Sequence, residues 1–155
     1  MKRTQTFHIS TDGRDRAAGT TEQPFATPHS ALAAIRRLRR QGKLSGGARV
    51  LLHGGIYELG RTLAFKPEDS GSAQSPVVFA AHPGEAGVLS GGRRITEWRE
   101  GKVKGKPCWV AELPEAAAGK WYFTQLFVNG VRRPRPRLPK TGYYRFASWD
   151  GDRDS

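Results

Sequence analysis

The sequence predicts an all-β chain with a single helix near its N-terminus. Three observations lead there. Only one segment, around residues 27–42, repeats apolar residues with a helical period. The remaining apolar residues come in short runs of three to six. Those runs are closed by turn residues drawn from 19 Gly and 10 Pro among 155 residues, which excludes a helical bundle or coiled coil. Many short strands after one helix are compatible with a sandwich, a barrel or a coiled β-solenoid, and no fixed-length repeat chooses among them.

The elements follow in order. Thr6-Phe7-His8-Ile9-Ser10 alternates polar and apolar side chains as a half-buried strand does, and Thr11-Asp12-Gly13 ends it. Arg14 to Gln23 is polar and without period, a surface loop. In Pro24-Phe25-Ala26-Thr27-Pro28, Thr27 is a helix cap and Pro28 fits the first helical position, where its missing N–H costs nothing. Ala31, Leu32, Ala34, Ile35 and Leu38 then form one apolar face, with Arg36, Arg37, Arg39 and Arg40 mostly opposite and Gly42 at the end. After Ser45-Gly46-Gly47, Ala48 to His53 is a strand, Gly54-Gly55 a sharp turn, and Ile56 to Leu59 a second strand carrying Tyr57. Further strands are expected at 63–65, 77–81, 88–90, 95–98, 109–113 and 123–128. Asn129-Gly130 signals a tight hairpin into Val131-Arg132-Arg133.

Composition removes several function classes. No run approaches the roughly 20 apolar residues of a membrane span. The single Cys108 excludes an intrachain disulfide, a Cys-based zinc site and CxxC redox chemistry. What remains is oxygen, hydroxyl, imidazole or carboxylate chemistry, or binding. The formal net charge of +12 raises nucleic acid as a partner, but the basic residues are spread from Arg3 to Arg153 and no nucleic-acid motif is present.

The order of motifs carries a resemblance. Gly19-Thr20, Pro24-Phe25-Ala26-Thr27, the helix to Arg40, Val50-Leu51-Leu52-His53-Gly54-Gly55-Ile56-Tyr57, Pro76-Val77-Val78-Phe79, and Pro83-Gly84-Glu85 through Leu89-Ser90-Gly91-Gly92 resemble the start of bacterial right-handed parallel β-helix proteins. These are the pectate-lyase-like group, which includes β-helical glycoside hydrolases. Trp121-Tyr122-Phe123, Gln125 to Gly130 and Arg132 to Pro139 are similar to the glycosidase subgroup. The resemblance runs from Phe7 to about Tyr144. It implies a first strand and capping helix over residues 1–45, the first β-helix coils with a hairpin insertion over 46–147, and a polar end over 148–155. It also implies a truncated chain whose catalytic residues lie on missing C-terminal coils. Members of this group are often secreted; as written, Met1-Lys2-Arg3 leads into no apolar signal core, and the chain reads as cytoplasmic.

Glycoside hydrolysis needs two carboxyl groups across one bond. Glu58, Glu68, Asp69, Glu85, Glu97 and Glu112 lie in turns or at strand ends, and no spacing pairs two of them, so no catalytic residue is assigned. Asp150, Asp152 and Asp154 imitate the start of a calcium loop without its Gly or distal Glu. His8, His29, His53 and His82 show no ligand spacing, and His53 reads as a hydrogen-bonded core residue; no metal or cofactor is implied. Ser90 lacks the Gly of a nucleophile elbow and is a turn residue. Trp121, Tyr122 and Phe123 could stack on a sugar, although alternating strand positions favour a core role.

Arg133, Arg135 and Arg137, interleaved with Pro134 and Pro136, form an extended segment with alternate guanidinium groups on one side. They are the candidate substrate-binding residues, suited to clamping carboxylates of an acidic sugar; packing against a later coil is the structural alternative. The expected function is therefore that of the cap of a carbohydrate-active protein, with a parent that hydrolyses a polysaccharide. A polysaccharide lyase, a carbohydrate-binding module and a basic nucleic-acid-binding domain are the alternatives.

Overall fold

The structure is a computed structural model and describes residues 3–135 and 137–145. Those residues fall into two compact units, the first ending at Ile95 and the second starting at Thr96.

In the first unit the strands β1 (Gln5–Ile9), β2 (Ala48–Leu52), β3 (Gly55–Glu58), β4 (Val77–Ala81) and β5 (Gly87–Ser90) are joined by α1 (Pro28–Arg40), which follows β1. A three-stranded parallel sheet has the order β1-β2-β4, and β3 pairs in parallel with β5. The register aligns Phe7 with Val50 and Val50 with Phe79, while Ile9 faces Leu52. Alternation then does the sorting: Phe7, Ile9, Ala48, Val50 and Leu52 are buried on one face. Thr6, His8, Arg49 and Leu51 belong to the other.

The helix forms where its signals lie. Thr27 Oγ1 accepts the Ser30 N–H at 3.3 Å, Pro28 opens the first turn, and Arg37, Arg39 and Arg40 sit in the last turn, where positive charge opposes the helix dipole. Its Ala31, Ala34 and Ile35 join the sheet face, Phe25 and Tyr57 in one core, with Leu38, Leu44, Val77 and Phe79 packed on its margin. The free edge of β1 is covered by the loop before the helix. There the Phe25 N–H donates to His8 O and the Ser10 N–H to Phe25 O, both at 2.9 Å, so the C-terminal end of β1 is paired on that side.

The basic face of α1 is also engaged. Arg36 grips Asp69 with Nε–Oδ1 and Nη2–Oδ2 at 2.7 and 2.6 Å. Arg39 donates to the carbonyls of Glu68 and Ser70. Asp69, in a 3₁₀ turn at Pro67–Asp69, is only 3 % exposed and also accepts the Lys66 N–H at 2.7 Å. The Arg36 guanidinium holds its carboxyl down at about 2, from 3.8. A depressed carboxylate adds stability above its unfolded value and loses it as pH falls through the folded one. Asp69→Asn is therefore expected to cost about 1–2 kcal/mol at neutral pH. That deficit should shrink between pH 3.8 and about 2. Melting both proteins from pH 6 downward checks this; a deficit independent of pH would refute it.

In the second unit β6 (Arg99–Val103) and β7 (Lys106–Val110) form one antiparallel hairpin, and β8 (Leu126–Val128) and β9 (Val131–Arg133) another, with the short α2 (Pro114–Ala117) between them. Both turns have the two successive positive φ values of a tight hairpin, at Lys104-Gly105 and Asn129-Gly130. No described residue of this unit is fully buried.

The expected all-β solenoid with one capping helix is corrected by this architecture. Among the described residues the strands form small mixed sheets, parallel in the first unit and antiparallel in the second, with two helices and neither a solenoid nor a closed barrel. The physical reason is pairing. Alternation marks a strand but not its partner, and the two hairpins of the second unit close on themselves through their turns. Residues 63–65 and 95–98 are not strands, while the charged β6 and the helix α2 carry no apolar pattern that would announce them. No helix among the described residues is long and apolar enough to cross a membrane.

Candidate functional site

The carboxyl ends of β1, β2 and β4 lie side by side, and each carries a histidine there. His8 is the penultimate residue of β1, His53 follows Leu52, and His82 follows Ala81. Because Leu52 and Ala81 are register partners, His53 and His82 occupy neighbouring positions. Each histidine lies an odd number of residues from core-facing members of its strand, so all three emerge on the face opposite the core. Their rings form a ladder: His53 and His82 stack with centroids 4.5 Å apart, and His8 and His53 at 5.4 Å.

Polar contacts tie the ladder together. His8 Nδ1 and His53 Nε2 are 3.1 Å apart, His53 Nδ1 lies 3.0 Å from Glu85 Oε1, and Thr21 Oγ1 reaches His8 Nε2 at 3.3 Å. One proton assignment satisfies these three contacts. The Thr21 hydroxyl donates to His8 Nε2, His8 Nδ1–H to His53 Nε2, and His53 Nδ1–H to Glu85. The other Glu85 oxygen accepts the Gly54 N–H at 2.6 Å, which holds the carboxyl below its usual range. Burial, then the neighbouring imidazoles, push His8 downward, favouring its neutral form. His82 Nδ1 is buried and 2.7 Å from Glu85 Oε1, yet off the line that a ring N–H···O bond needs. Beneath the cluster, the Tyr57 hydroxyl lies 2.7 Å from His53 O and 3.1 Å from Ile9 O, anchoring the strand ends from the core side.

His53, expected in the core, is instead a partly exposed member of this cluster, because it follows the core-facing Leu52 and so turns to the opposite face. Nothing in linear spacing brings His8 and His53 together, 45 residues apart. The available signal was positional: three histidines at the same end of three strands that turn out to be parallel and in register. His29 stays apart, with Nε2 3.4 Å from Thr62 O.

Four of the six candidate acids have cationic or imidazole partners. Asp69 is held by Arg36, Glu58 by Arg94 at 3.7 Å, Glu112 by Arg99, and Glu85 by the histidines. Arg133, Arg135 and Arg137 are all exposed, Arg133 at the end of β9 and Arg137 with its guanidinium 5.5 Å from the Tyr143 ring. Pro136 and the Asp150, Asp152 and Asp154 triplet lie outside the described residues. Ser90 Oγ accepts the Gly92 N–H at 3.1 Å, as a turn serine does. Trp121 packs on Phe123 at 4.9 Å, outside any strand, while Tyr122 is 80 % exposed.

No protein-family profile matches the chain, and no curated protein matches it. Among solved structures, one named "Glycoside hydrolase" is 39 % identical over 84 % of this chain, with a TM-score of 0.73. The chain spans 22 % of that protein's length, and over that span it carries a glycoside-hydrolase-like fold. "The complex structure of XylC with xylose" is 23 % identical over 64 % of this chain and 14 % of its own, with a TM-score of 0.47. "Rhamnogalacturonan lyase" is 21 % identical over 55 % and 21 %, with a TM-score of 0.36.

Proposed function

We propose that this chain is one part of a longer carbohydrate-active protein of the glycoside hydrolase type, acting on a polysaccharide by hydrolysis. The observation that carries the reading is the 39 % identity over 84 % of the chain to a structure named as a glycoside hydrolase. The chain's own part in that activity is structural and substrate-binding. Asp69, Glu58 and Glu112 are committed to arginines and Glu85 to histidines, so none of these four stands ready as the protonated acid that glycoside cleavage requires. Arg133, Arg135 and Arg137 are exposed on a Pro-interleaved segment; in this reading they bind carboxylates of an acidic sugar.

The test is the longest reading frame that contains this chain, assayed on neutral and uronate-containing polysaccharides. Release of reducing ends with saturated products supports hydrolysis. Unsaturated uronyl products would replace it with lyase chemistry, and binding without cleavage would replace it with a carbohydrate-binding module. Replacing Arg133, Arg135 and Arg137 by Ala should weaken acidic glycan binding by about tenfold for each bidentate ion pair removed, leaving neutral glycans unaffected. An equal weakening on both would refute the arginine role. Steeply salt-dependent DNA binding would favour the nucleic-acid alternative; against it, Arg36 and Arg39 of the basic cluster are already bonded within the fold.

A further inference from the structure

We infer that His8, His53 and His82 form a binding site for a divalent transition-metal ion of the Zn²⁺ type, with Glu85 as the residue that orients its ligands. This goes beyond the carbohydrate reading and does not depend on it.

Neutral imidazole is a ligand suited to Zn²⁺ and its neighbours in the first transition row, and three protein ligands suffice when a fourth position is left for water or another group. One nitrogen from each histidine lies within 4.8 Å of the others. Two ligands of a tetrahedral zinc, each about 2.0–2.1 Å from the ion, sit about 3.3 Å apart. His8 Nδ1 and His53 Nε2 are already 3.1 Å apart. The third nitrogen therefore needs to close by about an ångström or more, which rotation of partly exposed rings supplies.

The surrounding groups fit the same reading. A metal-ligating histidine characteristically gives its other N–H to a carboxylate, which fixes the tautomer and strengthens the ligand. Glu85 Oε1 lies 3.0 Å from His53 Nδ1 and 2.7 Å from His82 Nδ1, leaving Nε2 of both as the nitrogen turned away from the carboxylate. Glu85 is itself positioned by the Gly54 N–H. A hydrogen-bonded ladder alone accounts for the His8–His53 contact, but it leaves the buried His82 Nδ1 without an aligned partner. With the ion bound, a small ring rotation that brings His82 Nε2 inward also lets its Nδ1–H align with Glu85. The ion would tie the ends of β1, β2 and β4 on the face away from the core.

The experiment is calorimetric titration of the full chain with ZnCl₂ at neutral pH, with Co²⁺ as a spectroscopic substitute. The expected result is one ion per chain. Saturable binding should disappear in His53→Ala and His82→Ala and be unchanged in His29→Ala. It should weaken about 10- to 100-fold in Glu85→Gln. A histidine variant that fails to fold, recognised by circular dichroism, is bypassed by NMR of the unsubstituted chain. Co²⁺ should broaden the ring protons of His8, His53 and His82 before those of His29. Absence of saturable binding, or Co²⁺ broadening that spares the cluster, overturns the assignment. Binding that survives His53→Ala in a folded chain overturns it equally.

Discussion

Ile35→Ala is expected to lower the stability of the first unit by about 2–5 kcal/mol, the range for deleting a fully buried branched side chain. Ile35 is 0 % exposed and lies in the single layer where α1 meets Phe7, Ile9, Val50 and Phe25. The removed methylene and methyl groups leave a space in a core whose other members include Ile9 and Val50, themselves fully buried. Both belong to strands pinned in register, so neither can move in to fill it. For a domain of this size the loss is a large share of the whole, since total stabilities run to about 5–15 kcal/mol. Leu38→Ala on the same helix removes a residue at the margin of the core and should cost clearly less. Chemical denaturation of both variants checks the order. Equal costs would mean that the helix is not seated as described.

Gly47→Ala is expected to cost about 2–4 kcal/mol, from the left-handed backbone and from overpacking together. Gly47 has φ +86°, and a Cβ placed there would lie 2.3 Å from the carbonyl oxygen of Pro76. That oxygen belongs to backbone that cannot swing aside, because it accepts the Ala48 N–H at 2.9 Å. Gly47 O in turn accepts the Gln5 N–H at 3.1 Å. The residue thus sets the starting register of β1, β2 and β4 at once. At Gly60, where nothing lies within 4 Å and φ is not positive, the same substitution should be close to neutral. Thermal melts of the two variants decide it, and coincident curves would refute the role given to Gly47. A register disturbed at this end also displaces His53 and His82 at the other, so Gly47→Ala should weaken Zn²⁺ binding as well.

Much of the first unit was legible in the chain itself. Thr27-Pro28 and the Ala31, Leu32, Ala34, Ile35 spacing specified α1, alternation in Thr6 to Ser10 specified β1, and the largely apolar run Ala48 to His53 between glycine turns specified β2. Asn129-Gly130 specified the last hairpin. These are local signals, set by caps, period and turn chemistry within a few residues of each other. The hairpin β6–β7 was not legible, because Arg99 to Val103 is almost wholly polar and its pairing rests on the turn at Lys104-Gly105.

What only the tertiary structure decided was which strand lies beside which. Strands β1, β2 and β4 are parallel neighbours although a loop and the whole of α1 separate the first two, and their pairing creates the site, while the antiparallel closure of β6–β7 and β8–β9 on themselves overturned the solenoid expectation. Residue by residue, His8, His53 and His82 are ordinary members of three separate segments. In-register parallel pairing places equivalent ends together, and a period of two puts their side chains on one face. A property that depends on three strands at once cannot be read from any one of them. The sequence by itself determined the helix, the alternating strands and the carboxylate at Glu85; long-range register brought the imidazoles to it.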